Sequence, residues 1–159
     1  MLWPNDRPFR VRLNQWHEHR NHPLLVEADR QLTEYFAGER TEFTLPLHAE
    51  GTPFQTRVWQ CLLTIPYGRT RTYGDLARAI QKGSAARAVG LAASKNPLSI
   101  VVPCHRVLGA SGSLTGFAGG LEIKARLLAL EGARGAEPVA LGKGRKAYPK
   151  LERGADYIP

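Results

Sequence analysis

Short amphipathic helices interleaved with short extended runs place this chain of 159 residues in the α+β class. Three observations carry that assignment. Apolar residues recur at helical spacing behind helix-start signals: Leu25, Ala28, Leu32, Tyr35 and Phe36 after Pro23, and Phe54, Val58, Leu62 and Ile65 after Thr52-Pro53. Two alternating runs, Phe9-Val11-Leu13 and Phe43-Leu45-Leu47, read as short strands. A continuous apolar run from Leu98 to Val102 stops at Pro103-Cys104-His105-Arg106-Val107 and reads as a buried strand ending beside a cysteine and a histidine.

Residues 1–50 offer a strand, a helix closed by Gly38, and a second strand. That is too little to stand alone, so a small N-terminal α/β domain should lean on residues 51–135. There, Thr52-Pro53-Phe54-Gln55 is a capping box, and the helix it opens ends before Pro66. Cys61 in this helix reads as a small half-buried apolar residue. Tyr67-Gly68-Arg69-Thr70 is a turn. Thr72 caps a helix from Tyr73 to about Gln81 with Leu76 and Ile80 inward, Gly83 breaks it, and Ser84 caps another over residues 85–94. Two short helices joined by a glycine-bearing turn fit a helix-turn-helix.

The second of these helices carries Ala85, Ala86, Ala88, Gly90, Ala92 and Ala93, so it is nearly without bulk. It either packs tightly on its own core or enters a groove, and the long cation Arg87 near its start favours the groove. Gly109 to Gly120 is rich in glycine and serine and reads as a pocket wall or a plain connection. Leu121 to Leu130 is a final helix with Ile123, Leu127 and Leu130 inward and Glu131 at its end. Residues 136–159, with Lys143, Arg145, Lys146, Lys150 and Arg153, read as a basic extension.

The formal charge of +8 is unevenly spread: residues 1–50 hold 6 Lys+Arg against 8 Asp+Glu, residues 51–159 hold 16 against 6. A polyanion, nucleic acid first, suits the second part, although a basic surface also aids solubility. No apolar run is long enough for a bilayer and the first residues lack a signal-peptide centre, so a cytoplasmic protein is expected, nucleoid-associated if bacterial. Cys61 and Cys104 are expected to stay reduced, and with five histidines at no metal spacing no metal site is expected. A thiol beside an imidazole is a candidate nucleophile, since the imidazole can take its proton near neutral pH.

The residues Pro103-Cys104-His105-Arg106-Val107 resemble the active-site motif of the O6-alkylguanine-DNA alkyltransferases, or methylated-DNA–protein-cysteine methyltransferases. Ile65-Pro66-Tyr67-Gly68, Thr72-Tyr73-Gly74, Ala86-Arg87-Ala88-Val89-Gly90, Asn96-Pro97, Gly116-Phe117-Ala118-Gly119-Gly120 and Leu128-Ala129-Leu130-Glu131-Gly132 resemble the family's other signatures, in order. The likeness spans roughly residues 23–132 and is most specific over 52–132. It implies a shortened N-terminal domain, then a mostly helical, winged-helix-like domain with the helix-turn-helix and an active-site strand.

In chemistry, the resemblance implies that Cys104 takes the alkyl group from O6 of guanine irreversibly, and O4-alkylthymine secondarily. His105 would be the base through a bridging water, Glu131 would orient His105, and Asn96 would be the hinge to the active-site strand. It implies double-stranded DNA as partner, met at the minor groove by the helix bearing Ala86 and Arg87, with Ser84 at its start. A groove only ~6 Å wide would admit just such a small-residue helix. Arg87 would fill the place of the flipped base and Tyr73 would crowd the phosphate and bond the guanine edge. Val107, Phe117, Ala118 and Gly119 would line the pocket. Phe117 and Ala118 stand where relatives often have tyrosine and serine.

No cofactor is expected, and the protein should act as a monomer, with cooperative assembly on DNA as an option. An alkylated-base sensor without transfer is the main alternative, and Cys104 speaks against it. A transcription regulator would leave the Cys-His-Glu set idle. A cysteine hydrolase fits the adjacent Cys-His poorly.

Overall fold

Pro23 at its first turn and the His22 side chain, which accepts from Leu24 N at 3.2 Å, start helix α1 (Pro23–Phe36). This computed structural model describes residues 21–133; the expected strand at Phe9-Val11-Leu13 and the basic extension lie outside them. Gly38 closes α1 with φ of +78°, a conformation glycine adopts without strain. Only part of the expected inner face is buried. Gln31 and Tyr35 are inward, Leu32 and Phe36 are half-buried, and Leu25 is 55% exposed. The helix meets the body over its last turns, where Tyr35 stacks near Phe36, Phe43 and Tyr67.

The expected strand at Phe43-Leu45-Leu47 does not form. Pro46 removes a ladder donor, and Thr44 N donates to the Gln31 side chain at 2.9 Å instead of to a neighbouring strand.

The following helices obey their start signals more closely. In α2 (Pro53–Leu63) both capping-box bonds are present: Thr52 N donates to Gln55 Oε1 at 2.8 Å and Gln55 N to Thr52 Oγ1 at 3.3 Å. Strand β1 (Arg71–Thr72) runs directly into α3 (Tyr73–Ala79), which Thr72 and Asp75 cap reciprocally. Helix α4 (Ala86–Ser94) is capped by Ala85 and not by Ser84, with no side-chain bond. The reason is local: Ala85 N closes a turn onto Lys82 O at 2.7 Å, which delays the helix by a residue. Helix α5 (Leu121–Leu130) has the expected bounds.

One core joins α2, α3 and α4 through Val58, Leu62, Leu76, Ala77, Val89, Ala92 and Ala93, and it reaches Val102, Cys104 and Val107. Trp59 Nε1 donates to Ala92 O at 2.9 Å and pins α2 to α4. Tight packing on its own core therefore holds for one face of the small-residue helix, and the other face is open to solvent. Ala92 and Ala93 are buried, while Arg87, Ala88 and Leu91 are exposed.

The run from Leu98 to Val102 is not a strand. Asn96 Oδ1 accepts from Leu98 N at 3.0 Å and Asn96 Nδ2 donates to Val102 O at 2.8 Å, folding the run into a turn. Val102 N also closes on Leu98 O at 2.8 Å. Ile100 pays for the turn with φ of +75°, strained for a β-branched residue, and is held there by burial. The strand comes after the cysteine: β2 (Val107–Leu108) pairs in parallel with β1, Arg71 opposite Val107 and Thr72 opposite Leu108.

Candidate active site

Pro103 ends the turn, and Cys104–Arg106 make one tight 3-10 turn before β2. All three side chains are buried, so the thiol, the imidazole and the guanidinium each need polar partners. Asn96 Nδ2 serves the first, lying 3.3 Å from Cys104 Sγ. A donor directed at sulfur favours the thiolate over the thiol.

His105 is fully buried, with Nε2 2.8 Å from Glu131 Oε1. Burial pushes its pKa below the ordinary 6.5, outweighing the pull of Glu131, with Arg106 and Lys124 pushing the same way. The ring is therefore neutral near pH 7 and Nε2–H donates to the carboxylate. Nδ1 then carries the lone pair, and it has no hydrogen-bond partner among the described residues. A buried, unpaired acceptor on the residue next to the thiol is the tautomer a general base requires.

Glu131 gathers donors from three segments. Oε1 accepts from His105, from Tyr35 Oη at 2.7 Å and from Arg106 Nη2 at 2.9 Å; Oε2 accepts from Arg106 Nε at 2.8 Å and Gly68 N at 3.2 Å. Burial alone would raise its pKa, yet the bonds from His105, Arg106 and Tyr35 hold it at about 2. It remains an anion, able to steady an imidazolium without taking its proton. Arg106 Nη1 also donates to Ile65 O at 2.6 Å, which ties the site to the end of α2.

The glycine-rich segment is a pinned wall. Tyr73 Oη lies 3.2 Å from both Thr115 O and Gly116 O. A Cβ at Gly116 would stand 3.1 Å from that hydroxyl, and its φ is +52°. Lys124, fully buried on α5, donates to Val107 O and to Thr115 O, the latter at 2.7 Å, and so clamps the wall to β2. Burial lowers its pKa to about 8, against the opposing pull of Cys104. The Phe117 ring meets His105 edge-on at 6.5 Å between centroids; Ala118 is half-buried and Gly119 buried.

The structure thus brings the bonded pairs Asn96–Cys104 and His105–Glu131 side by side, because Cys104 and His105 are consecutive, with Val107, Tyr73 and Phe117 around them. Ser84 and Arg87 stand exposed and Ala86 half-buried at the start of α4, with Leu91 one turn on at 65% exposure. Sequence reasoning missed three contributors. Arg106 was signalled, because a cation within a buried motif requires a carboxylate. Lys124 shares the inner face of α5 with Leu127, three residues on. Tyr35 read only as a core aromatic.

The chain matches the family models for the 6-O-methylguanine DNA methyltransferase DNA binding domain over residues 53–133 and ribonuclease-like domain over residues 5–49. A methylated-DNA–protein-cysteine methyltransferase of Mycobacterium leprae is 62% identical over 106 residues, which is 67% of this chain and 64% of that protein. The chain therefore spans just under two thirds of that relative. A constitutive protein of the same description from Bacillus subtilis is 56% identical over 72% of this chain and 70% of its own length. Among solved structures, Mycobacterium tuberculosis OGT in complex with DNA superposes with a TM-score of 0.67 at 59% identity, covering 69% of this chain and 68% of that one.

Proposed function

This chain belongs to the 6-O-methylguanine DNA methyltransferase family, and on that premise we propose that it repairs DNA by moving an alkyl group from O6 of guanine to Cys104. The observation that carries the reading is a buried thiol next in the chain to a buried imidazole whose Nδ1 is unpaired and whose Nε2 is bonded to Glu131.

The thiol proton passes through one bridging water to His105 Nδ1, and Glu131 steadies the imidazolium that results. The sulfur then attacks the alkyl carbon in line with the C–O6 bond. An S–C bond forms, the bond from the alkyl carbon to O6 breaks with its electron pair on guanine, and guanine leaves with the proton that His105 took from the thiol, returned through water. Atoms and electrons balance without a further reactant. A thioether has no route back to a thiol here, so each molecule acts once. O4-alkylthymine offers the same kind of carbon and is a secondary substrate.

The alkyl carbon lies inside a stacked duplex, so the base must leave the stack to reach a buried sulfur. The exposed face of α4 supports contact with the minor groove: Ala88 adds little bulk to it, and Arg87, exposed and long, is the residue we assign to replace the extruded base. Tyr73 Oη, whose single hydrogen is shared between two loop carbonyls at 3.2 Å, would exchange them for a guanine edge in this scheme. The protein acts as a monomer in this scheme.

The test is to incubate the protein with a duplex holding one O6-methylguanine and weigh its tryptic peptides. The Cys104 peptide should gain one methylene permanently. Tight binding with an unmodified peptide would make the protein a lesion sensor instead.

A further inference from the structure

Tyr35 sits on α1, far in sequence from the thiol, yet it is fully buried and its hydroxyl lies 2.7 Å from Glu131 Oε1. That is the same oxygen that meets His105 Nε2 at 2.8 Å. The ring has little freedom to leave, because Phe36 and Phe43 lie at 5.3 and 5.4 Å between centroids and Tyr67 at 6.1 Å. A phenol packed only for its bulk needs no partner within the catalytic network; here phenylalanine would fill the space and the oxygen would lose a donor.

We infer that Tyr35 is a positioning residue for alkyl transfer: by donating to Glu131 Oε1, helix α1 sets how strongly His105 holds a proton. The inference rests on the reading of His105 as the base for Cys104.

A carboxylate divides its charge among its donors. Glu131 faces Tyr35 from α1, Tyr67 and Gly68 from the turn after α2, and His105 and Arg106 from the 3-10 turn. His105 in turn faces Glu131, Arg106 and Lys124 of α5. Burial and the charge of Glu131 keep the Tyr35 phenol protonated far above neutral pH, so it is a donor throughout the working range. Each donor on Oε1 draws charge away from the imidazole. Removing the phenol leaves more charge facing Nε2, favours the imidazolium, and makes the base occupied by a proton at a higher pH.

The test is the pH dependence of reaction with free O6-benzylguanine, read as the benzylated Cys104 peptide. Wild-type protein should lose rate on the acid side as His105 protonates. In Tyr35→Phe that acid limb should move up by about half a unit to one unit. Replacing Tyr35 with 3-fluorotyrosine, which keeps the ring and makes its hydroxyl a stronger donor, should move the limb the other way. Leu32→Ala, a packing change in the same aromatic cluster, should lower the unfolding midpoint and leave the limb in place.

Limbs that coincide in wild type, Tyr35→Phe and the fluorotyrosine protein overturn the inference. If Tyr35→Phe does not fold, the fluorotyrosine shift alone decides it. A wild-type protein that never gains the benzyl group refutes the underlying reading instead, so the two failures are distinct.

Discussion

At the scale of single residues, the site depends on groups whose environment changes what they can do. His105 is fully buried beside a carboxylate, and burial wins over the ion pair, so its ring is neutral near pH 7. Gly68 shows the same dependence on position. Its φ is +70°, its amide donates to Glu131 Oε2, and a Cβ there would lie 2.8 Å from Glu131 O. Gly68→Ala should therefore cost about 1–3 kcal/mol in urea unfolding. It should also slow alkyl transfer, because the clash displaces the residue that orients His105. An unchanged midpoint would show that the turn relaxes freely. His105 and Cys104 were legible in the sequence because they are adjacent in one motif. The donors that shape them, Tyr35 and Gly68, were not, since they reach Glu131 from 96 and 63 residues away.

Among the elements, α4 has two unlike faces. Ala92 and Ala93 let α2 approach closely enough for Trp59 to bond Ala92 O, and the outward face carries Arg87 and Leu91. If Arg87 replaces a flipped base, Arg87→Ala should slow repair of O6-methylguanine in duplex DNA by at least about tenfold, equivalent to ~1.4 kcal/mol. Its reaction with free O6-benzylguanine should change little, because no base has to leave a stack. Equal losses on both substrates would remove Arg87 from that role. The helices were readable because caps and apolar spacing are local signals: Thr52-Gln55 forms both of its bonds. The run from Leu98 to Val102 misled because its pattern was local and its cause was not. Asn96 folds it back by bonding at both ends, and pattern alone cannot reveal a side chain that captures backbone groups.

For the molecule as a whole, one buried carboxylate ties α1, the turn after α2, the cysteine turn and the end of α5 together. Its pKa in the fold is about 2 against an ordinary 4.5, so its contribution is complete above pH 4.5 and is lost as pH falls towards 2. That contribution is on the order of 3 kcal/mol. His105 acts in the same direction from a higher pH, since its folded pKa lies below 6.5 and the unfolded chain takes up the proton first. The urea midpoint should therefore begin to fall below pH 6.5 and fall steeply below 4.5. A midpoint unchanged from pH 7 to pH 4 would mean that the network contributes little to folding.

The sequence by itself determined the helices with strong caps, the adjacency of Cys104 and His105, and the presence of Glu131 at the end of α5. These rest on contacts within a few residues, or on a motif that is contiguous in the chain. Only the tertiary structure decided that the apolar run is a turn, that β2 follows the cysteine, and that Phe43–Leu47 forms no strand. It also decided which groups share the carboxylate. Burial removes water as a partner, so each buried polar atom must find another within the protein, and the partner it finds is fixed by packing rather than by distance along the chain.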